Sequence, residues 1–192
     1  MLIGAILLAA LAPSARAQVF GVGGSVGLVN DVGDDFTLNG FKHSEVAGWV
    51  DYRFEKSSLL RLTFGSMRTR QSHGASIIVP ATGDSGTPVT RALKERVEYL
   101  SLGVSYLLWE GFFTSGLFAG VGGYHIRPDA VPTDFTGLAD RKETVVGWHA
   151  GSEAMFRVYK NLSLVGRLTY HNVSAHPHRQ WVNVDAGVVA RF

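Results

Sequence analysis

The sequence predicts an all-β protein: an eight-stranded antiparallel up-and-down β-barrel that spans a membrane. Three observations predict it. Apolar and polar side chains take turns along eight segments of strand length, and the joints between those segments alternate between tight turns and long polar connections. Charge is sparse, at 18% of 192 residues, against about 25% in an ordinary soluble domain. Yet no run after residue 17 approaches the ~18 consecutive apolar residues that a spanning helix requires. A chain in lipid must satisfy every backbone amide internally, and without apolar helices only a closed barrel does so.

Residues 1–17, MLIGAILLAALAPSARA, are expected to be a signal peptide. The apolar core runs from Leu2 to Leu11, Pro13 breaks it, and Ala15-Arg16-Ala17 offers a small-x-small cleavage site. The run is too short to cross a bilayer. Its n-region has no Lys or Arg, which leaves open whether Met1 is the start. The remaining 18–192 form one barrel domain, exported and beginning at Gln18 after cleavage.

The eight segments follow in order. The first, 19–30, opens on Gly21-Val22-Gly23-Gly24, which precedes no helix and so cannot cradle a phosphate. In the second, 40–54, Val46, Val50, Tyr52 and Phe54 alternate with Glu45, Trp49, Asp51 and Arg53. Glu55-Lys56-Ser57 turns the chain into the third, 58–70, and 71–92 is a long joint. The fourth, 93–108, meets the fifth, 112–126, at Trp109-Glu110-Gly111. In the sixth, 141–159, Arg141, Glu143, His149, Glu153 and Arg157 hold odd positions, while Val146, Trp148, Ala150, Ala154, Phe156 and Val158 hold even ones. Lys160-Asn161 leads to the seventh, 162–171, where Leu162, Leu164, Leu168 and Tyr170 alternate with Ser163, Arg167, Thr169 and His171. The eighth, 180–192, sets Val182, Val184, Ala186, Val188, Ala190 and Phe192 against Trp181, Asn183, Asp185 and Arg191. Short joints on one side and long ones on the other (31–39, 71–92, 127–140, 172–179) are expected of an outer-membrane barrel, the short ones periplasmic.

The polar face of each segment is then the lumen. It gives five acids, Glu45, Asp51, Glu143, Glu153 and Asp185, and five bases, Arg53, Arg61, Arg157, Arg167 and Arg191. Buried charges must be paired, and arginine pairs carboxylates bidentately, so a balanced ionic network is expected. It reads as a structural salt-bridge plug or as a gated conduit. Glycines on the same segments suit a crowded interior, and eight strands leave no room for a wide pore. With no cysteine, disulfides, thiol catalysis and cysteine metal sites are absent. A net charge of +2 gives no reason to expect nucleic acid, and no cofactor motif occurs.

Phe20, Tyr52, Phe54, Trp109, Phe112, Phe113, Tyr159 and Phe192 cluster at the expected periplasmic boundary, where aromatic rings favour the headgroup level. Lys42, Arg68, Arg70, Arg91, Lys94, Arg96, Arg127, Arg141, Lys142 and Arg179 fall toward the other rim, amid several aspartates. They are expected to contact outer-membrane lipids and the phosphates of lipopolysaccharide. His176-Pro177-His178, near His171, is read as solvated or metal-binding, and no metal site is assigned.

The whole of 19–192, closing on Val184-Asp185-Ala186-Gly187-Val188-Val189-Ala190-Arg191-Phe192, resembles the outer-membrane β-barrel superfamily of small porin-like proteins, with its OmpA-like and OmpX-like members. The resemblance implies an outer-membrane location and recognition of the terminal Phe192 by the barrel-insertion machinery. A monomer with a structural, envelope-integrity or surface-contact role is expected. One enzymatic relative offers an alternative. Lipid A deacylases of the PagL type carry His-x-Ser near the top of strand seven and an acid on strand eight. His171, Ser174 and Asp185 are the matching residues here, but Ser174 lies three positions from His171 rather than two. An odd offset puts the two on opposite faces of a strand. A narrow channel or small-ligand binder is the third reading.

Overall fold

The computed structural model describes residues 19–32, 41, 43–70, 77–79, 89–91, 94–129, 142–175 and 178–192. The expected signal peptide lies outside them. The strands are β1 (Phe20–Asp31), β2 (His43–Arg53), β3 (Ser58–Arg70), β4 (Ile77–Val79), β5 (Val89–Arg91), β6 (Lys94–Trp109), β7 (Phe113–Pro128), β8 (Glu143–Tyr159), β9 (Leu162–Val173) and β10 (Arg179–Arg191). Eight of them close a barrel in the order β1-β10-β9-β8-β7-β6-β3-β2. Every neighbouring pair is antiparallel. The closing seam runs from Gly21↔Arg191 to Asp31↔Trp181. It extends to the end of the chain, where Phe20 donates to the Phe192 carbonyl at 2.9 Å and Phe192 donates back to Phe20 at 2.9 Å. The barrel sheet is left with no edge to be satisfied by water, which is the condition for a sheet in lipid.

The eight expected segments correspond to the eight barrel strands, with ends shifted by up to three residues. The β4–β5 hairpin was not expected. It forms a separate two-stranded sheet inside the joint read as 71–92, and the β-branched run Ile77-Ile78-Val79 opposite Val89 and Thr90 accounts for it. The tight turns share one rim with Val19 and Phe192, called here the turn rim. The opposite strand ends, among them Asp31, His43, Arg70, Lys94, Pro128 and Glu143, form the other, the loop rim.

Alternation fixes what each face meets. The outer wall carries Val26, Leu28, Val46, Leu60, Leu62, Phe64, Leu100, Leu102, Val104, Leu117, Val121, Val146, Leu164, Leu168 and Val184, all exposed. They form an apolar band right round the barrel, far beyond the few hundred Å² that soluble monomers expose. At the turn rim Phe20, Tyr52, Phe54, Trp109, Phe112, Phe113 and Tyr159 are exposed, and Phe192 is half-buried. Toward the loop rim Trp148 and Tyr170 pack with ring centroids 5.4 Å apart. The band is thus bordered on both sides by amphipathic rings.

The interior glycines have a specific use. Gly65 stands opposite Tyr99, Gly151 opposite Phe118, and Gly120 opposite His149. A Cβ there would meet the ring at 2.6, 2.6 and 2.8 Å respectively. Gly23 stands in the same relation to Trp49. Each of these four rings therefore lies over a glycine of the adjacent strand, and a narrow cylinder accommodates them without spreading.

Candidate functional site

The candidate site is the barrel interior, which is built in layers. Toward the loop rim Val29, Met67, Val97, Tyr99, Tyr124, Ile126, Val173, Ala175 and Trp181 form one apolar cluster. Toward the turn rim Trp49, Leu59, Leu107, Met155, Val165 and Val189 form a second. Charged residues occupy the inward positions between: Arg61 lies between Leu59 and Met67 on β3, Arg167 between Val165 and Val173 on β9, and Asp185 between Trp181 and Val189 on β10.

Arg61 organises this middle layer. Its Nε and Nη2 donate to the two carboxylate oxygens of Asp51 at 2.7 and 2.9 Å. Its Nη1 and Nη2 donate to those of Glu153 at 2.7 and 3.0 Å. Ser105 Oγ donates to Glu153 at 3.1 Å. Arg167 Nη2 reaches Asp185 at 3.4 Å. Both guanidinium groups also lie against two aromatic faces. Arg61 is 5.6 Å from the Trp49 ring and 5.4 Å from Phe118, and Arg167 is 4.4 and 5.5 Å from the same two rings. Desolvated cations gain most from such faces. Two arginines are thus held between two rings and three carboxylates in a dry section, with Arg61 3% and Trp49 1% exposed.

Glu45 is held differently. It accepts from Tyr99 Oη at 2.6 Å and from Asn183 Nδ2 at 2.7 Å, two neutral donors. Tyr99 stacks on Tyr124 at 5.5 Å. Tyr124 Oη is 3.1 Å from His171 Nδ1, and the His149 ring lies 5.5 Å from that of His171. These five partners were not assigned to the network from the sequence. Their inward parity was readable, but a neutral side chain on a polar face gives no sign of which acid it serves.

The ten expected lumen residues divide. Glu45, Asp51, Arg61, Glu153, Arg167 and Asp185 are buried together. The other four lie outside that buried group. Arg53 is at the turn rim, paired with Glu110. Glu143 is at the loop rim, where Arg179 lies 3.7 Å from it and 3.0 Å from Glu95. Arg191 is half-buried, with Nη2 3.1 Å from Met155 Sδ. Arg157 is exposed at the turn-rim end of β8, still in register with Ser163 and just before the shift at Tyr159. The core itself holds four acids and two arginines.

The deacylase candidates do not assemble. His171 is buried on the inner face at 1% exposure, whereas Ser174 is exposed beyond the end of β9. Asp185 is opposite Arg167, four residues along from His171, whose own cross-strand partner is Trp181. At ~3.3 Å per residue that separation is about 13 Å along the strand. His178 is exposed, and His176 lies outside the described residues. Among the described residues no cluster of three or more His, Cys, Asp or Glu is placed to hold a metal.

No protein-family model matches the sequence, and no curated protein matches it. Solved structures do. Neisserial surface protein A aligns with a TM-score of 0.62 at 11% identity, over 90% of this chain and 97% of that one. The outer-membrane protein OprG from Pseudomonas aeruginosa gives 0.58 at 10% identity, over 92% and 97%. Ail, the attachment invasion locus protein of Yersinia pestis, gives 0.54 at 11% identity, over 92% and 100%. The chain has the fold of the eight-stranded outer-membrane β-barrels. At these identities the likeness is one of fold, and an outer-membrane barrel of this size encloses side chains rather than a water-filled channel.

Proposed function

We propose that the protein is an integral outer-membrane barrel, exported after cleavage at Ala17, that serves envelope integrity or surface contact and conducts no solutes through a wide pore. The observation that carries the reading is the contrast between the two faces. The outer wall is apolar all round, while in the interior Arg61 and Arg167 each lie against the rings of Trp49 and Phe118. Insertion would use the terminal Phe192, and the barrel would work as a monomer among outer-membrane lipids and lipopolysaccharide. The test is deletion of the chromosomal copy. Cells lacking the protein should become more permeable to detergent and large antibiotics, or lose attachment to a surface. If sucrose-gradient fractionation puts the protein with the inner membrane or the soluble fraction, the reading is wrong.

A further inference from the structure

On the outer wall, Arg68 of β3, Arg96 of β6 and Arg127 of β7 are directly opposite one another in the ladder. Like charges directly opposite across strands are destabilising, so the row costs the free protein something. Acids only partly offset it. Asp129 approaches the Nε of Arg68 at 3.5 Å and that of Arg96 at 3.7 Å, and Glu98 accepts from Arg127 at 2.6 Å. With exposed Lys94, the patch holds four cations against two carboxylates among the described residues. Arg68 is 57% exposed in its side chain.

The position of the row relative to the apolar band narrows what would bind it. Phe64 and Leu100, both exposed, are four residues below on the same face. At ~3.3 Å per residue and a strand tilt of about 40°, the row stands about 10 Å above them, at headgroup depth. A groove of about 360 Å³ opens beside Arg68 on the side toward β1 and β2, lined by Leu28 and Phe41 as well as by Arg68, Lys94 and Asp129. A ligand held by the row has the exposed Phe64 and Leu100 directly below it on β3 and β6. The row is on the loop rim, which in these barrels faces outward, so the lipid belongs to the outer leaflet.

We infer that Arg68, Arg96 and Arg127 form a binding row for the phosphate groups of an outer-leaflet glycolipid, whose acyl chains lie on β3 and β6. The inference rests on the outer-membrane reading above and makes one arc of the wall its specific lipid contact. Arginine suits the task because its planar fork donates two hydrogen bonds to one phosphate.

The experiment is native mass spectrometry of the detergent-folded protein titrated with a bisphosphorylated lipid A, its phosphate-free counterpart, and phosphatidylglycerol. Lipid A should be retained, the phosphate-free form should not, and R68Q/R96Q/R127Q should weaken retention by about ten-fold or more, several charge-assisted bonds being lost. K160Q, at the opposite rim, should bind as the parent does. Equal binding of the phosphate-free lipid, or unchanged affinity in a folded triple variant, overturns the inference. So does phosphatidylglycerol binding as tightly as lipid A. If the triple variant does not fold, the comparison of the two glycolipids on the parent protein still decides. No retention of lipid A by the parent protein, with the permeability effect intact, would sink the inference alone. An absent permeability effect with lipid binding intact would sink only the integrity role.

Discussion

Arg61 serves two acids at once, and much of the interior depends on that one side chain. Its removal leaves Asp51 and Glu153 buried without their cation, a loss that typically costs about 3–5 kcal/mol. R61M should therefore shift the urea-unfolding midpoint of vesicle-embedded protein, read by tryptophan fluorescence, by a corresponding amount. D51N/R61M/E153Q should recover most of the loss, because a neutral, well-packed trio needs no compensation. A triple variant no better than R61M would mean the penalty is lost packing against Trp49 and Phe118 rather than unpaired charge. The surface row makes the opposite case at this scale: R96Q removes a like-charge neighbour of both Arg68 and Arg127. In lipid-free detergent it should leave thermal stability unchanged or slightly raised, by a few tenths of a kcal/mol. A marked drop in melting temperature would show that Asp129 needs Arg96 more than the arginines repel one another.

At the scale of the strand pair, ring-over-glycine packing sets which substitutions the barrel tolerates. G23A would drive a methyl group into the Trp49 ring, whose atoms are the nearest to it, and the β1–β2 pair should fail to form. W49A/G23A should restore a heat-modifiable folded band on a gel. If G23A alone folds like the parent, the close approach has slack and the packing argument is wrong. Strand faces also show what the sequence could and could not disclose. Period-two alternation gives the face of a residue, and it placed Glu153, Arg167, His171 and Asp185 inward. It says little about depth along the strand. Arg53, Glu143 and Arg191 have the inward parity and lie at the rims, where a longer side chain finds solvent or a rim partner. Arg157 has the same parity and is exposed at the turn-rim end of β8. The apolar clusters above and below the charged layer were hidden for a related reason. Val165, Val189 and Met155 are inward by parity, but an inward apolar residue in a strand read as polar-inside looks like noise until its neighbours in space are known.

For the molecule as a whole, a filled interior predicts silence. Protein inserted into planar bilayers should show no conductance steps at either polarity, and regular openings would mean the Arg61–Arg167 layer moves. The outer wall makes a prediction about depth. With single-tryptophan variants in bilayers, brominated acyl chains should quench Trp148, which faces the lipid, while Trp49 and Trp181 stay unquenched; quenching of Trp49 would place it outside the wall. The seam between β1 and β10 has a further consequence. Every other junction joins strands that are consecutive along the chain or separated only by the small β4–β5 hairpin, so those hairpins can pair as soon as they exist. The first strand, by contrast, finds its second partner only when residues 179–191 arrive. Assembly thus has a fixed last event. A polypeptide cut short before β10 carries two raw borders and no way to hide them from hydrocarbon.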